Sequence, residues 1–326
     1  MITPRISIRA KIVLLPILVV VFVVVIVFTI WTFSKNKQLN PGRVLGEITN
    51  EDLPITKIPR QKNKSQPYIA AYSTILVDGN NKYPLFQKDS GKKMSIASLT
   101  KIMTALIVLE NSQPDETVFV PREVARVIGS KIQLRVAEKI TVNNLLHGLL
   151  IQSGNDAAYT LANFIGLKNG PRNYDETIRV FVGLMNQKAK DLNLENTSYI
   201  DPAGLDPGNS STAFDLAILV SWAMENPRFA EIVKIKDESI YSIDGKIEHK
   251  LKSSNHMLQE DVSYPYAIGI KTGFTPEAGH LLVSAAKKDE QVLIGVILKT
   301  FADTIQASAI ESRKLLNWGF ENFSWE

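Results

Sequence analysis

The residues best placed to do chemistry are Ser98 and Lys101, in the stretch SIASLTKIMTALIVLE (95–110). A serine hydroxyl is a poor nucleophile until a base takes its proton. Three residues apart on a helix, the two side chains share one face. The lysine serves as base only when neutral, and burial or a second nearby cation lowers its pKa. The pair can therefore be nucleophile and base for acyl transfer. Spacing alone decides little, because the chain holds four Ser-x-x-Lys pairs: Ser34/Lys37, Ser90/Lys93, Ser98/Lys101 and Ser284/Lys287. Only the third opens an apolar helix. Its structural alternative is a surface lysine whose stem covers core residues.

Two further groups offer matching chemistry. Ser153-Gly154-Asn155 places a hydroxyl and an amide on a tight bend. Lys271-Thr272-Gly273 supplies a cation, a hydroxyl and a glycine that leaves room for a ligand backbone. Taken singly, the first reads as a helix break with capping side chains, and the second as a strand end with a turn.

The elements that must position these groups can be read from periodicity. YIAAYSTILVD (68–78), GNN (79–81) and KYPLFQKD (82–89) read as strand, turn and strand. Residues 141–165 predict two helices broken near Ser153-Gly154. Ile178, Phe181, Val182, Met185, Ala189 and Leu192 fall at helical spacing. Thr212 and Asp215 predict a capping box before LAILVSWAM. YAIGIKTGF, HLLVSAAK and VLIGVILKT predict three antiparallel strands, and 304–320 a last helix. Strands at both ends with helices between them make an α+β domain whose terminal segments share one sheet.

Residues 12–34 carry no charge. As a helix they extend roughly 34 Å, enough for a bilayer core. Trp31 suits an interfacial anchor. Arg5, Arg9 and Lys11 precede the segment, and Lys35, Lys37 and Arg43 follow it, so the flanking charges leave orientation ambiguous. The run is long for a signal peptide and no clear A-x-A site follows. The expectation is a cytoplasmic tail (1–11), an uncleaved transmembrane anchor in the bilayer (12–34), a polar linker (35–66) and an extracytoplasmic globular domain (67–326). The net charge of +4 over 326 residues, with scattered basic residues, gives no basis for a nucleic-acid partner. No cysteine is present, which excludes thiolate nucleophiles and cysteine-ligated metals. The four histidines have no H-E-x-x-H spacing.

In order, S-x-x-K, S-x-N and K-T-G resemble the set found in penicillin-binding proteins and class A β-lactamases. The text around them, ASLTKIMTALIVLE, LLIQSGNDAAYTLA, NTSYIDPAGLD, STAFDLAILV and IKTGFTPEAGHLLVSAA, closely resembles the serine-type D-alanyl-D-alanine carboxypeptidases. These are the low-molecular-mass penicillin-binding proteins, peptidase family S11. The resemblance covers roughly residues 68–322. It implies a penicillin-binding-protein/β-lactamase-like transpeptidase fold, with an antiparallel sheet packed by helices beside a helical lobe. It implies that Ser98 attacks the D-Ala–D-Ala carbonyl with Lys101 as base, and that Ser153 and Lys271 relay protons to the leaving D-alanine. Asn155 would hold the substrate amide or orient Lys101, and Lys271 and Thr272 would meet the substrate carboxylate. Gly273 would make room for the peptide, and the N–H groups of Ser98 and Phe274 would form the oxyanion hole. Peptidoglycan stem peptides would be substrates and β-lactams covalent inhibitors, with no metal or cofactor. Lys271 would be the like charge that lowers the Lys101 pKa, so Lys271→Ala is expected to raise it.

Relatives often carry an arginine shortly before the final helix's Glu-Ser pair, where it grips the terminal carboxylate. Here Gln306, Ala307 and Ser308 precede Glu311-Ser312. That makes endopeptidase action on cross-links the main alternative. Many relatives also continue into a β-rich second domain and an amphipathic membrane helix. The chain ends at Glu326, so residues 12–34 are expected to replace that anchor. A β-lactamase is disfavoured because no E-x-x-L-N-type segment lies between Asn155 and Lys271. A non-catalytic wall-binding protein is disfavoured because Ser98 and Lys101 are both present.

Overall fold

The computed structural model describes residues 58–63, 65–170 and 173–325. The expected anchor at 12–34 lies outside them, as do the tail and most of the linker. No helix among the described residues is long and apolar enough to cross a membrane.

In chain order the strands are β1 (Pro59–Gln61), β2 (Ala71–Asp78), β3 (Pro84–Lys88), β4 (Met94–Ser95), β5 (Thr117–Phe119), β6 (Lys139–Thr141) and β7 (Ser210–Ser211). They continue with β8 (Asp237–Tyr241), β9 (Glu248–Lys252), β10 (Ala267–Thr275), β11 (Gly279–Lys288), β12 (Gln291–Thr300) and β13 (Phe323–Trp325). The helices are α1 (Thr100–Asn111), α2 (Val142–Leu150), α3 (Asn155–Leu167), α4 (Tyr174–Asp191), α5 (Ala213–Met224), α6 (Pro227–Ile232) and α7 (Ala307–Asn322). The main sheet is antiparallel with order β10-β11-β12-β2-β3, so the two ends of the domain do share it.

Alternation along β12 shows how the layers form. Leu293 and Ile297 face the cluster that holds Leu315, Leu316 and Trp318 of α7. Ile294, Val296 and Leu298 face the helical cluster on the other side. With both faces covered, the strand reads as a continuous apolar run, and each fully buried aliphatic side chain contributes about 1.5–3 kcal/mol. In α4, Phe181, Met185 and Ala189 form the buried stripe expected from their spacing.

Two local expectations change. Thr212 does cap α5, its hydroxyl accepting from Asp215 N at 3.0 Å. The reciprocal half of the box is absent, because Asp215 Oδ2 accepts from Asn196 N and Thr197 Oγ1 instead. A long-range loop competes for that carboxylate and wins. Residues 59–61, within the stretch read as linker, pair with β13, Arg60 opposite Ser324.

Candidate active site

Ser98 sits on a single 3-10 turn (Ala97–Leu99) that runs directly into α1. Ala97 adopts φ 43, left-handed backbone that disfavours a side chain bearing Cβ and costs about 1–2 kcal/mol. Ser153 adopts φ 63. Strain of this kind persists where surrounding structure enforces it, commonly at functional sites. Here it falls beside the nucleophile and within the second motif.

Lys101 Nζ lies 2.9 Å from Ser98 Oγ and donates to Ala203 O at 2.7 Å. Lys101 is fully buried, whereas Ser98 is half-buried and lines a cleft. Burial pushes the Lys101 ammonium down to about 7, opposed by Asp201 and Asp156. Lys271 is buried as well and lies well below the usual lysine range, first through burial and then through repulsion by Lys101. Burial is the leading cause for both lysines, and the repulsion between them belongs to the pair rather than to either one. The spacing could not show how completely the 201–204 loop covers Lys101.

That loop is built by Asp201. Its Oδ1 accepts from the N–H of Ala203 and Gly204 at 2.6 and 2.7 Å, and its Oδ2 from Asp206 N at 2.6 Å. Asn209 ties the loop to α1, donating to Thr100 Oγ1 at 3.2 Å and to Asp201 O at 3.0 Å. Gly204, at φ +82, passes so close to the nucleophile's turn that a Cβ there would lie 1.8 Å from Ala97 O. The local sequence of this segment does not reveal that role. Its one local signal is Asp-Pro followed by glycine, a turn signature.

The other motifs converge unevenly. Ser153 lines the cleft with Ser98, Thr272, Gly273 and Phe274. Asn155 is buried and does not bond Lys101. Its Nδ2 donates to Ile128 O at 2.7 Å and its backbone N to Ser130 O at 2.8 Å, fixing the loop that brings Ser130 to the cleft. Its Oδ1 is buried without a partner. Lys271 does not line the cleft, and its Nζ donates to Thr272 O at 2.9 Å. Thr272 Oγ1 pairs with Ser254 Oγ at 2.6 Å, and Ser254 follows a hairpin, β8–β9, that periodicity did not reveal. Gly273 has a reason beyond ligand room, since a Cβ would meet Ile96 O at 3.2 Å and Leu99 Cγ at 3.4 Å. The glycine lets β10 pack against the Ser98 turn. Because β10 is the sheet edge, alternate backbone groups along it are left for a ligand.

The cleft encloses about 490 Å³. An activated hydroxyl at its wall, beside an open strand edge, suits attack on the carbonyl of an extended peptide.

Residues 60–302 match the serine peptidase S11 family, described as D-alanyl-D-alanine carboxypeptidase. The chain is 31% identical over 278 residues to D-alanyl-D-alanine carboxypeptidase DacF of Bacillus subtilis, covering 80% of this chain and 65% of that protein. It thus spans about two thirds of that relative's length. It is 31% identical to a D-alanyl-D-alanine endopeptidase of Pseudomonas aeruginosa, covering 78% of this chain and 79% of that protein. The crystal structure of the Streptomyces K15 DD-transpeptidase superposes with a TM-score of 0.73 at 33% identity, covering 79% of this chain and 99% of that one. The α+β fold with its antiparallel sheet is thus that of the penicillin-binding DD-peptidases, and the chain belongs to the D-alanyl-D-alanine carboxypeptidase family S11.

Proposed function

We propose that the protein is a serine-type D-Ala-D-Ala carboxypeptidase that removes the terminal D-alanine from peptidoglycan stem pentapeptides. The observation that carries this reading is the 2.9 Å approach of a fully buried Lys101 to Ser98 Oγ. A lysine with a pKa near 7 is half neutral at physiological pH and can accept the serine proton. Ser98 Oγ then bonds to the carbonyl carbon of the penultimate D-alanine. The C–N bond breaks, and the departing amine takes a proton passed through Ser153. Water hydrolyses the acyl-ester, regenerating Ser98 and releasing the shortened stem. The N–H groups of Ser98 and Phe274 would receive the oxyanion. β-Lactams would acylate the same hydroxyl.

Residues 12–34 would anchor the chain in the bacterial cell membrane, with the catalytic domain extracytoplasmic. The apolar length of that segment supports this. Endopeptidase action on cross-links is the second reading, favoured by the similarity to the Pseudomonas aeruginosa endopeptidase. The test is to incubate the chain with a stem pentapeptide and with a cross-linked dimer. Free D-alanine from the first and no cleavage of the second is expected. Cleavage of the dimer alone would reverse the assignment.

A further inference from the structure

The cleft lacks an obvious partner for a carboxylate. No lysine or arginine lines it among the described residues. The two groups there that can carry positive charge are His256 and His280. His280 is committed: its Nε2 pairs with Asp303 at 3.2 Å, and its ring stacks on Phe274 at 4.5 Å. His256 is not. Its Nδ1 faces Asp261 Oδ2 at 2.8 Å, and its Nε2 has no partner among the described residues.

The surroundings of His256 fix its orientation. It opens a 3-10 turn capped by Asn255, whose Oδ1 accepts from Met257 N at 3.0 Å. Asp261 is held in turn by Gln306 Nε2 at 3.4 Å. Burial works against the Asp261 carboxylate, but the hydrogen bond and charge of His256 outweigh it and hold the carboxyl below its usual range. An ionised Asp261 accepts, so Nδ1 carries a hydrogen and Nε2 is left for a ligand. A ligand carboxylate at Nε2, opposite Asp261 at Nδ1, would place an acceptor at each ring nitrogen, the arrangement that an imidazolium satisfies with two donors. A second hollow adjoins the cleft at His256, where Lys236 pairs with Glu260 and where Asp237 and Lys252 lie. His256 thus stands at the junction, next but one to Ser254, whose hydroxyl bonds Thr272.

We propose that His256, held by Asp261, supplies the positive hydrogen-bond donor for the substrate's terminal carboxylate, beside the Ser254–Thr272 hydroxyl pair. The assignment rests on the D-Ala-D-Ala reading and deepens it. A donor aimed at a free C-terminus would favour carboxypeptidase over endopeptidase action.

The test compares Ser98 acylation of the full chain by a penicillin and by its methyl ester, which lacks the carboxylate. Losing one hydrogen bond to a charged group corresponds to roughly tenfold to hundredfold. His256→Ala is expected to slow the free acid by about that factor and leave the ester unchanged. His256→Arg is expected to restore most of the preference for the acid, and His256→Gln is not. Asp261→Asn, which keeps the imidazole but not its orienting charge, is expected to lower the preference in part. Thermal unfolding of each variant identifies any that fail to fold, and the comparison then rests on the others. An acid-to-ester ratio unchanged in the folded His256 variants would overturn the assignment. Absence of any acylation of the unsubstituted chain is a separate outcome, which overturns the functional reading and this assignment with it.

Discussion

Lys101 Nζ donates to the carbonyl oxygen of Ala203 at 2.7 Å, joining residues 102 apart in sequence. The contact seals the lysine from water, and the seal is what turns an ammonium into a base at neutral pH. The 201–204 loop is therefore as much a part of the catalytic unit as the S-x-x-K helix it covers.

Gly204 is the position where that seal is least tolerant. A Cβ would lie 1.8 Å from Ala97 O at a backbone φ of +82. Gly204→Ala is expected to destabilise the fold by about 2–4 kcal/mol and to slow acylation at least tenfold, since the loop or the Ser98 turn must shift. Urea unfolding and penicillin acylation kinetics check the two effects. A variant with unchanged stability and rate would show that the contact is slack.

The pKa of Lys101 sets a pH profile. Acylation is expected to rise with pH through a midpoint near 7, as the lysine loses its proton. The stability sign is opposite to that of an ordinary ion pair. Between about 7 and the usual lysine value of 10.5, the unfolded chain binds the proton and the folded chain does not. This group therefore opposes folding at and below neutral pH, and its penalty fades as pH rises through that window. Lys101→Met is expected to abolish acylation while stabilising the fold by about 1–4 kcal/mol at neutral pH. A destabilised variant would mean that the Ala203 contact outweighs the cost of burying the charge.

Lys271 lies well below its usual range, through burial first and the neighbouring Lys101 second. For Lys101 itself, burial is the cause that brings it down to about 7. Lys271→Ala is expected to leave the acylation midpoint near 7 while weakening peptide binding, read as a higher KM. A midpoint raised by a full unit or more would show that Lys271 is charged in the free enzyme.

His249 forms a buried pair with Glu138 at 2.8 Å, and its other ring nitrogen faces Ile132 O at 2.8 Å. Both side chains are essentially inaccessible, at 2% and 0%. Burial works against the imidazolium, but Glu138 outweighs it and raises the His249 pKa. The stabilisation is full below the unfolded value near 6.5 and is lost as pH rises through the raised folded value. His249→Ala strands a buried carboxylate and is expected to cost about 3–5 kcal/mol, measured by denaturant unfolding at pH 6. A loss under 1 kcal/mol would mean that water reaches Glu138.

What sequence revealed here followed periodicity and local chemistry. The apolar runs of β10, β11 and β12 and the stripe of Phe181, Met185 and Ala189 carry their own period, so those elements could be placed from residues alone. Ser98, Ser153 and Thr272 could be named because three motifs occur together and in order, although each alone reads as structural. What stayed hidden depends on long-range partners. The Asp215 carboxylate is drawn from its local cap to Asn196 and Thr197. Asn155 is drawn to the 128–130 loop rather than to Lys101. Strand β1 has no periodicity to speak for it, because β13 at the far end of the chain supplies its partner. Asp201 looks like an ordinary turn residue until the loop it folds is seen to close over Lys101.

The central claim is that Ser98 is a nucleophile made reactive by Lys101. The measurement that tests it most directly is labelling of the full chain with a fluorescent penicillin at pH 7, followed by peptide mapping. One stable adduct on Ser98 is expected, abolished in Ser98→Ala and in Lys101→Met. Absence of an adduct on the unsubstituted chain, or an adduct that persists in Ser98→Ala, would contradict it.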